Sequence, residues 1–562
     1  MPSPQLGMSS PQTTSPKIAA VSDTAVLETH LRQIHAHYKG GQWAQAITHC
    51  ESVIALIAQS EQMADSLAAQ PSAKPSAELS DKELHNTELP NAARPHTQPL
   101  ATQAPTTQAP ATEPSATEPL ATEPSATPPI PASPVAELHI AKGDLFVKQD
   151  KVAEAIDSYE QALELHPQQP ELLQKIENLY VQKAQKVKAE QGVSAAVRVY
   201  LKALQTHPRL FIAYNRLRYN LMRYEIPVGD PILQEIVQVC QHISEKEPSI
   251  LPAQVALGYA LTKLGDKQTA IAAYQQVSER FTRRQITARL SESNPQAAVA
   301  LSTKAQPPSF MIIGAEKCGT TSLFQYLRQH PDVLPPIEKE IDFFDMEYEQ
   351  GIDWYLSHFP LGTEVASSEQ ATAKRWITGE TSANYLYSDV APERVFQHFP
   401  AIKLAVILRH PIDRAASRYN MMVRNGAEKR SFETAVQEEI AIIQKAMDRS
   451  TDGQTIPWQA LNRCRHIGNS LYYYHIQRWL KLFPSEQLTV VRSEDLFAQP
   501  AQTLSQLYQS IGLSSHHEQD YPKHNAGQYS PVEGDIRQML SAFFAPHTRK
   551  LEALLNRSFD WE

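Results

Sequence analysis

The stretch SFMIIGAEKCGTTSLFQYLRQHP, residues 309–331, decides the fold of the C-terminal half of the chain. It opens with the continuous apolar run SFMIIGA, which is typical of a strand covered on both faces of a parallel sheet. A glycine-containing turn follows, and a helix begins near Gly319–Thr320. Such a junction points backbone N–H groups at an anion, and the helix dipole adds to the attraction. The hydroxyl donors beside these N–H groups are Thr320, Thr321 and Ser322.

The turn lacks the lysine of a nucleoside-triphosphate loop. Gly314 and Gly319 have the spacing of the motif GxxxxGK followed by Ser or Thr, but Thr320 stands at the lysine position. The cation lies inside the turn instead, at Lys317. This difference argues against an ATP hydrolase that uses Mg²⁺, although the turn still predicts a phosphate site with Lys317 beside it. The alternative is that Lys317 is a surface lysine that follows a strand.

Two further apolar runs predict more strands of the same sheet. They are IKLAVILR, residues 402–409, and QLTVVRS, residues 487–493, and helical segments alternate with them. We therefore predict an α/β domain, with a parallel sheet covered by helices on both faces, over residues 307–562. Arg409 ends its strand at the carboxyl edge, where such sheets bind ligands, and Ser417 lies about two helical turns further on, so both can reach one phosphate. Surface or helix-pairing positions are expected for Arg414 and Arg418.

Helical repeats are predicted before this domain, over residues 135–285. The segments AELHIAKGDLFVKQDKVAEAIDSYEQALELHP and LPAQVALGYALTKLGDKQTAIAAYQQV, and more weakly VSAAVRVYLKALQTHP, resemble the tetratricopeptide repeat. Gly143 and Ala155 would let two antiparallel helices approach closely, and Tyr159 would fill the groove between them. Such arrays form concave docking surfaces for protein partners. The alternative is that the array only packs on the next domain.

The remaining segments have the composition of linkers and tails. Residues 71–134 contain 14 prolines and no Gly, Phe, Trp, Tyr or Cys, so they cannot bury enough apolar surface to offset the entropy of ordering. We predict a disordered linker over residues 66–134, with a Pro-rich interaction ligand as the alternative. Residues 1–65 are predicted to hold a tail and a repeat-like helical hairpin, and residues 286–306 a hinge.

Composition restricts the class of protein. The chain has 562 residues, 42% of them hydrophobic, and its net charge of −9 argues against a protein that coats nucleic acid or anionic membrane. The four cysteines lie far apart without a CxxC pair, so we expect reduced thiols and no zinc module. The N-terminus has no apolar signal region, and no stretch approaches about 18 apolar residues. We therefore expect a cytoplasmic protein without a transmembrane segment.

Six ordered segments of the C-terminal domain resemble the sulfotransferases that use 3′-phosphoadenosine 5′-phosphosulfate (PAPS). Among them, GAEKCGTTSL resembles the phosphosulfate loop GxxKxGTTxL, LRQHPDVLPPIEKEIDFFD resembles LxxHPxV…KEIxFFD, and LRHPIDRAASRY resembles RxPxxRAxSxY. The resemblance extends over residues 308–561, and it is closest to the heparan-sulfate sulfotransferases and their bacterial relatives. It implies PAPS as the sulfuryl donor, no metal, and an acceptor hydroxyl or amine. The implied acceptors are a glycan, a glycolipid, or a tyrosine carried by a partner protein.

The resemblance also implies roles for single residues around the donor. Lys317 would stabilise the charge that develops on the departing phosphate oxygen. Arg409 and Ser417 would hold the 3′-phosphate, which distinguishes PAPS from ATP. The residues that would hold the 5′-phosphate are Cys318, Gly319, Thr320, Thr321 and Ser322. Further nucleotide-binding candidates, in a C-terminal loop, are Lys523, Asn525 and, more weakly, Tyr529.

The acceptor must lose a proton as it attacks, so a general base is useful. In the heparan-type enzymes this base is a Glu in a segment like NEVHFFD, which KEIDFFD matches here and which implies Glu340. One rival is a histidine, of which His330 and His358 are nearest in sequence, although His330 is better explained as a packing position. Another is that Lys339 and Glu340 form a solvated loop pair. Weaker substrate-binding candidates are Asp342, which replaces an expected His, Asp345, and Thr381, which replaces a sugar-contacting Lys.

Two other functions compete with a sulfotransferase. One is a P-loop kinase or ATPase, which the missing loop lysine and the Arg409–Ser417 pair disfavour. The other is a catalytically inactive repeat scaffold, which the presence of Lys317, Glu340 and Arg409 disfavours. We therefore predict a PAPS-dependent sulfotransferase preceded by tetratricopeptide repeats. A fragment that begins at about residue 300 is expected to fold alone, because it has its own strands, helices and core.

Overall fold

The protein is described here by a computed structural model. It describes residues 29–30, 32–34, 36–37, 41–68, 134–167, 169–222, 226–291, 300–364, 376–450, 455–518, 520–524, 527 and 529–561. Nearly all of the predicted linker lies outside these residues, as does the candidate Asn525. The described residues divide into two compact units, one ending at Glu190 and the other beginning at Gln191.

The first unit is helical. Its second and third helices form the hairpin that the first predicted repeat required, with the Gly143 backbone against the ring of Tyr159. The Tyr159 hydroxyl donates to Asp144 Oδ1 at 2.5 Å, so one turn of the facing helix contacts both the ring and its hydroxyl. The helices of this unit are α1 (Trp43–Ala68), α2 (Pro134–Lys148), α3 (Val152–Leu165) and α4 (Pro170–Gln191), whose last residue already belongs to the second unit.

The second unit begins with five more helices. The last two form the second predicted repeat, and a Cβ atom at Gly258 would lie 2.5 Å from a ring carbon of Tyr274. Only glycine therefore allows the two helices to approach this closely. The five helices are α5 (Val193–Thr206), α6 (Phe211–Met222), α7 (Ile232–Lys246), α8 (Leu251–Leu264) and α9 (Lys267–Ser291).

A four-stranded parallel sheet forms the centre of the C-terminal part, as the apolar runs predicted. Strands β2 (Phe310–Gly314), β4 (Gly379–Thr381), β5 (Lys403–Leu408) and β6 (Leu488–Arg492) pair in the order β4-β2-β5-β6. Every residue of β2 is buried, which explains its uninterrupted apolar sequence. Because β2 and β5 are parallel neighbours, the segments that follow them leave the sheet at the same edge.

Helices cover this sheet and build a cluster of buried residues of their own. Ile412, Val436 and Phe544 are members of that cluster. The helices are α10 (Thr320–Gln329), α11 (Ile352–Leu356), α12 (Ala391–His398), α13 (Pro411–Arg424), α14 (Phe432–Asp448), α15 (Trp458–Arg463), α16 (Tyr472–Leu480), α17 (Ser493–Ala498), α18 (Pro500–Ser510) and α19 (Gly534–Leu555).

The structure describes both ends of the hinge predicted over residues 286–306, while residues 292–299 lie outside the described residues, so the hinge stays a prediction. Helix α9 continues to Ser291, and Ile286 is buried against Leu334 and Trp376 of the C-terminal part. Strand β1 (Ala300–Ala305) then pairs antiparallel with β3 (Leu361–Glu364). Both ends of the predicted hinge are therefore held by tertiary contacts that the local sequence does not reveal.

The last repeat also packs on the C-terminal part through an aromatic cluster. The Trp354 indole N–H donates to Thr262 Oγ1 at 2.9 Å, and the ring centroids of Tyr274 and Trp354 are 5.7 Å apart in an edge-on arrangement. The ring of His358 lies 4.1 Å from that of Tyr274, and the Ser278 hydroxyl donates to the carbonyl of Phe359. Helices α8 and α9 thus complete the core beneath α11.

We predict that a fragment of residues 300–562 is much less stable than one of residues 191–562. The shorter fragment exposes Trp354 and His358, and loss of aromatic packing of this kind costs about 3–5 kcal/mol for a single large side chain. Thermal unfolding and sedimentation of both fragments measure the difference. A monomeric shorter fragment with an equal unfolding temperature would restore the expectation that the C-terminal domain folds alone.

Candidate active site

The turn between β2 and α10, which the sequence predicts to bind phosphate, is hydrogen-bonded to the neighbouring strand β5. The N–H of Ala315 donates to the carbonyl of Ile407 in β5 at 2.9 Å. Lys317 and Gly319 have φ angles of +71° and +103°. The lysine pays a conformational cost at this angle, which is a common property of residues at functional sites. At Gly319 any Cβ atom would also lie only 3.1 Å from the ring of Phe497.

A buried ion pair holds the turn to helix α13. Arg418 Nη1 lies 2.7 Å from Glu316 Oε1 and 2.5 Å from Glu316 Oε2. Burial would raise the pKa of Glu316, but Arg418 and Arg414 hold it below its ordinary value. Arg414 is fully buried and donates to Ser470 Oγ at 2.6 Å. The prediction that these two arginines lie at the surface or in helix pairs was therefore wrong, because their partners are distant in sequence.

Lys317 follows Glu316 in the turn, and its Nζ lies 3.5 Å from Met421 Sδ on α13. Burial lowers the pKa of Lys317, Glu316 opposes the shift, and Arg424 adds to it. A buried ammonium with several arginines around it favours an anion beside it, because an anion offsets both the burial and the repulsion. The residues around Lys317 therefore fit a phosphate or sulfate group.

The hydroxyls and the thiol at the start of α10 divide into two groups. Thr321 Oγ1 accepts from Lys339 Nζ at 3.2 Å, and Thr320 is buried beside Gly319 at the helix start. Ser322 Oγ instead accepts from the N–H of His524 at 3.0 Å. The Cys318 thiol is buried 3.5 Å from the Tyr472 hydroxyl, and burial raises its pKa to about 11. Ser322 and Cys318 thus direct their side chains toward other parts of the protein.

Arg409 lies at the end of β5, beside the turn, as its position in the sequence predicted. Its Nη1 donates to the Tyr529 hydroxyl at 3.2 Å, and its carbonyl accepts from the Tyr472 hydroxyl at 2.8 Å. Burial would lower the pKa of Arg409, but Tyr529 holds it above its ordinary value. Ser417 lies on α13, the helix that follows β5. The weaker candidate Tyr529 is therefore placed directly on the proposed 3′-phosphate residue.

The C-terminal loop candidate Lys523 also reaches the turn. Its Nζ lies 4.5 Å from the ring centroid of Phe497, the residue that faces Gly319. The loop is anchored to α10, because the Tyr326 hydroxyl donates to the carbonyl of Pro522 at 2.8 Å. Asn525 lies outside the described residues, so its role stays a prediction.

The candidate base Glu340 is tied to the turn through Lys339. Lys339 Nζ lies 2.6 Å from Glu340 Oε1, and the same ammonium donates to Thr321. The pair exists, but it is not the solvated pair considered above, because the Lys339 side chain is only 7% exposed. The Glu340 side chain is 32% exposed and can meet an acceptor. Lys339 thus connects the turn to the candidate base Glu340. The sequence did not indicate this connecting role.

Arg218, on repeat helix α6, also contacts this segment. Its Nη2 donates to the carbonyl of Glu340, and its Nε lies 2.9 Å from Glu338 Oε2. Sequence reasoning missed this residue completely, because it lies 122 positions before Glu340 and belongs to a different predicted domain. No local motif marks it.

The other substrate candidates are mostly inaccessible. Thr381 is fully buried and its N–H donates to the carbonyl of Lys339 at 3.2 Å. Asp342 is 4% exposed and has a φ angle of +52°. Asp345 is half-buried in the π-helical turn Phe343–Glu347. The first two therefore shape the loop beneath Glu340, and a direct acceptor contact by either would require movement.

Neither rival histidine is placed for proton transfer. His330 is fully buried, and its Nε2 lies 3.0 Å from the carbonyl of Ser514, which fits the packing role expected for it. His358 is buried in the aromatic cluster, and burial lowers its pKa to about 3. Glu340 remains the base candidate that this geometry favours.

Comparison with known families agrees with this geometry. The family model described as a sulfotransferase domain matches residues 307–530. Residues 307–530 form a sulfotransferase domain. Two tetratricopeptide repeat models match residues 136–169 and 253–282, which correspond to the α2–α3 and α8–α9 hairpins. The weaker repeat predicted at residues 193–208 coincides with α5 and stays a prediction.

Several curated proteins are similar to the part of the chain that contains the sulfotransferase domain. The membrane-associated sulfotransferase kil1 of Dictyostelium discoideum is 26% identical over 45% of this chain and 66% of its own length. The bifunctional heparan sulfate N-deacetylase/N-sulfotransferase 3 of mouse is 29% identical over 44% of this chain and 30% of its own length. The chain thus spans less than two thirds of these relatives. The matches support a sulfotransferase enzyme.

A solved sulfotransferase from Alicyclobacillus acidocaldarius is 29% identical, with a TM-score of 0.36, and the match covers 46% of this chain and 99% of that one. Among the described residues, no helix combines the length and the apolar character needed to span a bilayer. The same residues contain no group of three or more His, Cys, Asp or Glu side chains arranged to hold a metal ion.

We predict that Arg418→Ala lowers the free energy of unfolding by about 3–5 kcal/mol, because it leaves the buried Glu316 carboxylate without its partner. Urea unfolding measures the loss. The matched control is Arg283→Ala, which breaks an exposed pair with Glu279 on α9 and should cost about 0.5 kcal/mol or less. Equal, small losses in both variants would show that the buried pair does not stabilise the turn.

We also predict that Arg409→Ala weakens binding of adenosine 3′,5′-bisphosphate by about tenfold or more, while binding of adenosine 5′-phosphate changes little. The variant loses a hydrogen bond to a charged group, which contributes about 1.5–3 kcal/mol. Isothermal titration with both nucleotides measures the difference, and Arg198→Ala on α5, which breaks an exposed pair with Glu235, serves as the arginine control. Equal weakening of both nucleotides would make Arg409 a structural residue.

Proposed function

We propose that the chain transfers the sulfuryl group of PAPS to a hydroxyl or amine of a carbohydrate acceptor. One observation carries the proposal. Two cationic sites, Lys317 after β2 and Arg409 after β5, lie at the same edge of neighbouring parallel strands. A nucleotide with phosphate groups at both its 5′ and 3′ positions matches that pair of sites, and ATP does not.

The turn after β2 would bind the sulfuryl donor. In the proposed reaction the bond between sulfur and the bridging phosphate oxygen breaks, and adenosine 3′,5′-bisphosphate leaves. Lys317 would stabilise the negative charge on that oxygen, and the N–H groups at the start of α10 would hold the 5′-phosphate. Thr320, Thr321 and Lys523 add polar groups around the same turn.

The acceptor side rests on Glu340. A new bond forms between sulfur and the acceptor oxygen or nitrogen, and the acceptor proton passes to the Glu340 carboxylate. The salt bridge with Lys339 orients this carboxylate toward the turn. The heparan sulfate enzyme among the relatives supports a carbohydrate acceptor. A protein partner that binds the repeats stays a prediction.

We expect Lys317→Ala and Glu340→Gln to abolish transfer for different reasons. Labelled PAPS with desulfated heparan as acceptor measures transfer, and titration with adenosine 3′,5′-bisphosphate measures nucleotide affinity. Lys317→Ala should also slow hydrolysis of PAPS in the absence of acceptor, with a loss of about 2–4 kcal/mol in transition-state stabilisation. Glu340→Gln should keep nucleotide affinity, because the amide preserves shape and removes only basicity.

The pH dependence follows from the lowered pKa of Lys317. The ammonium must be protonated to bind an anion, so nucleotide affinity should fall as pH rises through that pKa, at lower pH than for an ordinary lysine. Lys317→Arg should keep nucleotide affinity at high pH and so serves as the control.

In the transfer assay, near-wild-type transfer by Glu340→Gln would contradict the assignment of Glu340 as the base. Undiminished transfer by Lys317→Ala would contradict the proposed function.

A further inference from the structure

A small, partly open cleft of about 70 Å³ lies in the second compact unit between the repeats and the sulfotransferase domain. Helix α6 of the repeats supplies one wall, and helix α10 with the segment 335–339 supplies the other. The polar residues of the repeat wall are Tyr214, Asn215 and Arg218, and those of the opposite wall include Gln325, Arg328 and Lys339.

The cleft ends at the proposed reaction centre. Thr321, in the first turn of α10, and Lys339 both line it, and these two side chains contact each other at 3.2 Å. Lys339 in turn holds the Glu340 carboxylate at 2.6 Å. A molecule bound in the cleft therefore lies beside the proposed base and the phosphate-type turn.

The charges of the cleft differ from those of the whole chain. The chain has a net charge of −9, but the cleft is lined by three cationic side chains, Arg218, Arg328 and Lys339. Arg218 pairs with Glu338 and Lys339 pairs with Glu340, so the cleft and the adjoining Glu340 hold one more cationic than anionic side chain. Apolar surface from Pro335 and other residues adjoins these groups. Carboxylates and hydroxyls bind to guanidinium and amide groups, and the C–H faces of sugar rings pack on apolar surface. An acidic oligosaccharide combines these features.

Arg218 joins the two walls. Its guanidinium pairs with Glu338 at 2.9 Å and donates to the carbonyl of Glu340, while its own helix belongs to the repeats. Both side chains of the pair are only 14% exposed, so the contact is largely shielded from water. A largely buried, charge-assisted contact of this kind positions the backbone at Glu340 more strongly than an exposed pair would.

We propose that the repeats form one wall of the acceptor site, which binds an acidic oligosaccharide, and that Arg218 positions the segment that carries Glu340. The proposal rests on the proposed function, since it names the acceptor class of that same site. The repeats are then part of the catalytic apparatus and not solely a docking module. Arg218 acts through Glu340 and is a positioning residue.

Binding of a defined oligosaccharide to the full chain tests the shared site. The probes are a fluorescent desulfated heparan hexasaccharide, which is acidic through its uronates, and a neutral maltohexaose, each titrated with adenosine 3′,5′-bisphosphate present. Asn215→Asp keeps the shape of the repeat wall but repels carboxylates, and Arg328→Gln removes a cation from the opposite wall. Both should weaken binding of the acidic probe by about tenfold or more.

The control is Arg198→Ala, which removes an exposed pair with Glu235 elsewhere in the repeats and should leave affinity unchanged. Three results would overturn the shared site: wild-type protein that binds no acidic probe, equal binding of the neutral probe, or an unchanged affinity in Asn215→Asp. If the wild type still binds the bisphosphate nucleotide, each result leaves the sulfotransferase assignment intact. Loss of nucleotide binding in the wild type would instead contradict the proposed function.

The positioning role of Arg218 needs a readout that fold stability does not determine. Because Arg218→Ala would leave Glu338 unpaired, the test variant is Arg218→Met combined with Glu338→Gln, which removes both charges together. Its kcat for transfer to the acidic hexasaccharide should fall by about tenfold or more, with KM for PAPS unchanged. The single variant Arg218→Lys, which keeps the positive charge, should retain more of the wild-type kcat than the double variant does. A wild-type kcat in the double variant, with an unchanged KM, would overturn the positioning role.

Discussion

The ion pair between Glu316 and Arg418 is the contact on which the arrangement of the site depends. It joins the turn after β2 to the helix after β5, so the two segments that would hold the two ends of the nucleotide are fixed to each other. Arg418 is buried and the Glu316 carboxylate is largely buried, so removing either partner alone would be destabilising. The pair therefore fixes the position of the turn relative to α13, because the turn is held in place only when α13 is packed in its native position.

Part of the repeat array belongs to the same compact unit as the sulfotransferase domain. The compact unit begins at Gln191, so helices α5 to α9 form one compact unit with the sulfotransferase domain. Trp354 and His358 are buried by Tyr274 of the last repeat, and Arg218 reaches the backbone of Glu340. Repeat helices that elsewhere serve as separate docking arrays are here continuous with the walls of the site.

Local features of the site were predictable from the sequence because they depend on spacing within one segment. The β2–turn–α10 junction, the position of Lys317 and the placement of Arg409 at a strand end are of this kind. Arg418, Lys339 and Arg218 were misread or missed, because their burial depends on partners brought together only by the tertiary fold. The burial of Ile286 could not be predicted for the same reason, since it depends on Leu334 and Trp376.

The two neighbouring cationic sites at Lys317 and Arg409 are proposed to recognise a nucleotide phosphorylated at both its 5′ and 3′ positions. Isothermal titration of the full chain with adenosine 3′,5′-bisphosphate and with ATP, at one salt concentration, tests it most directly. The account predicts that the bisphosphate binds more tightly than ATP by about tenfold or more, through the additional charged contact at Arg409. Equal or tighter binding of ATP would contradict it.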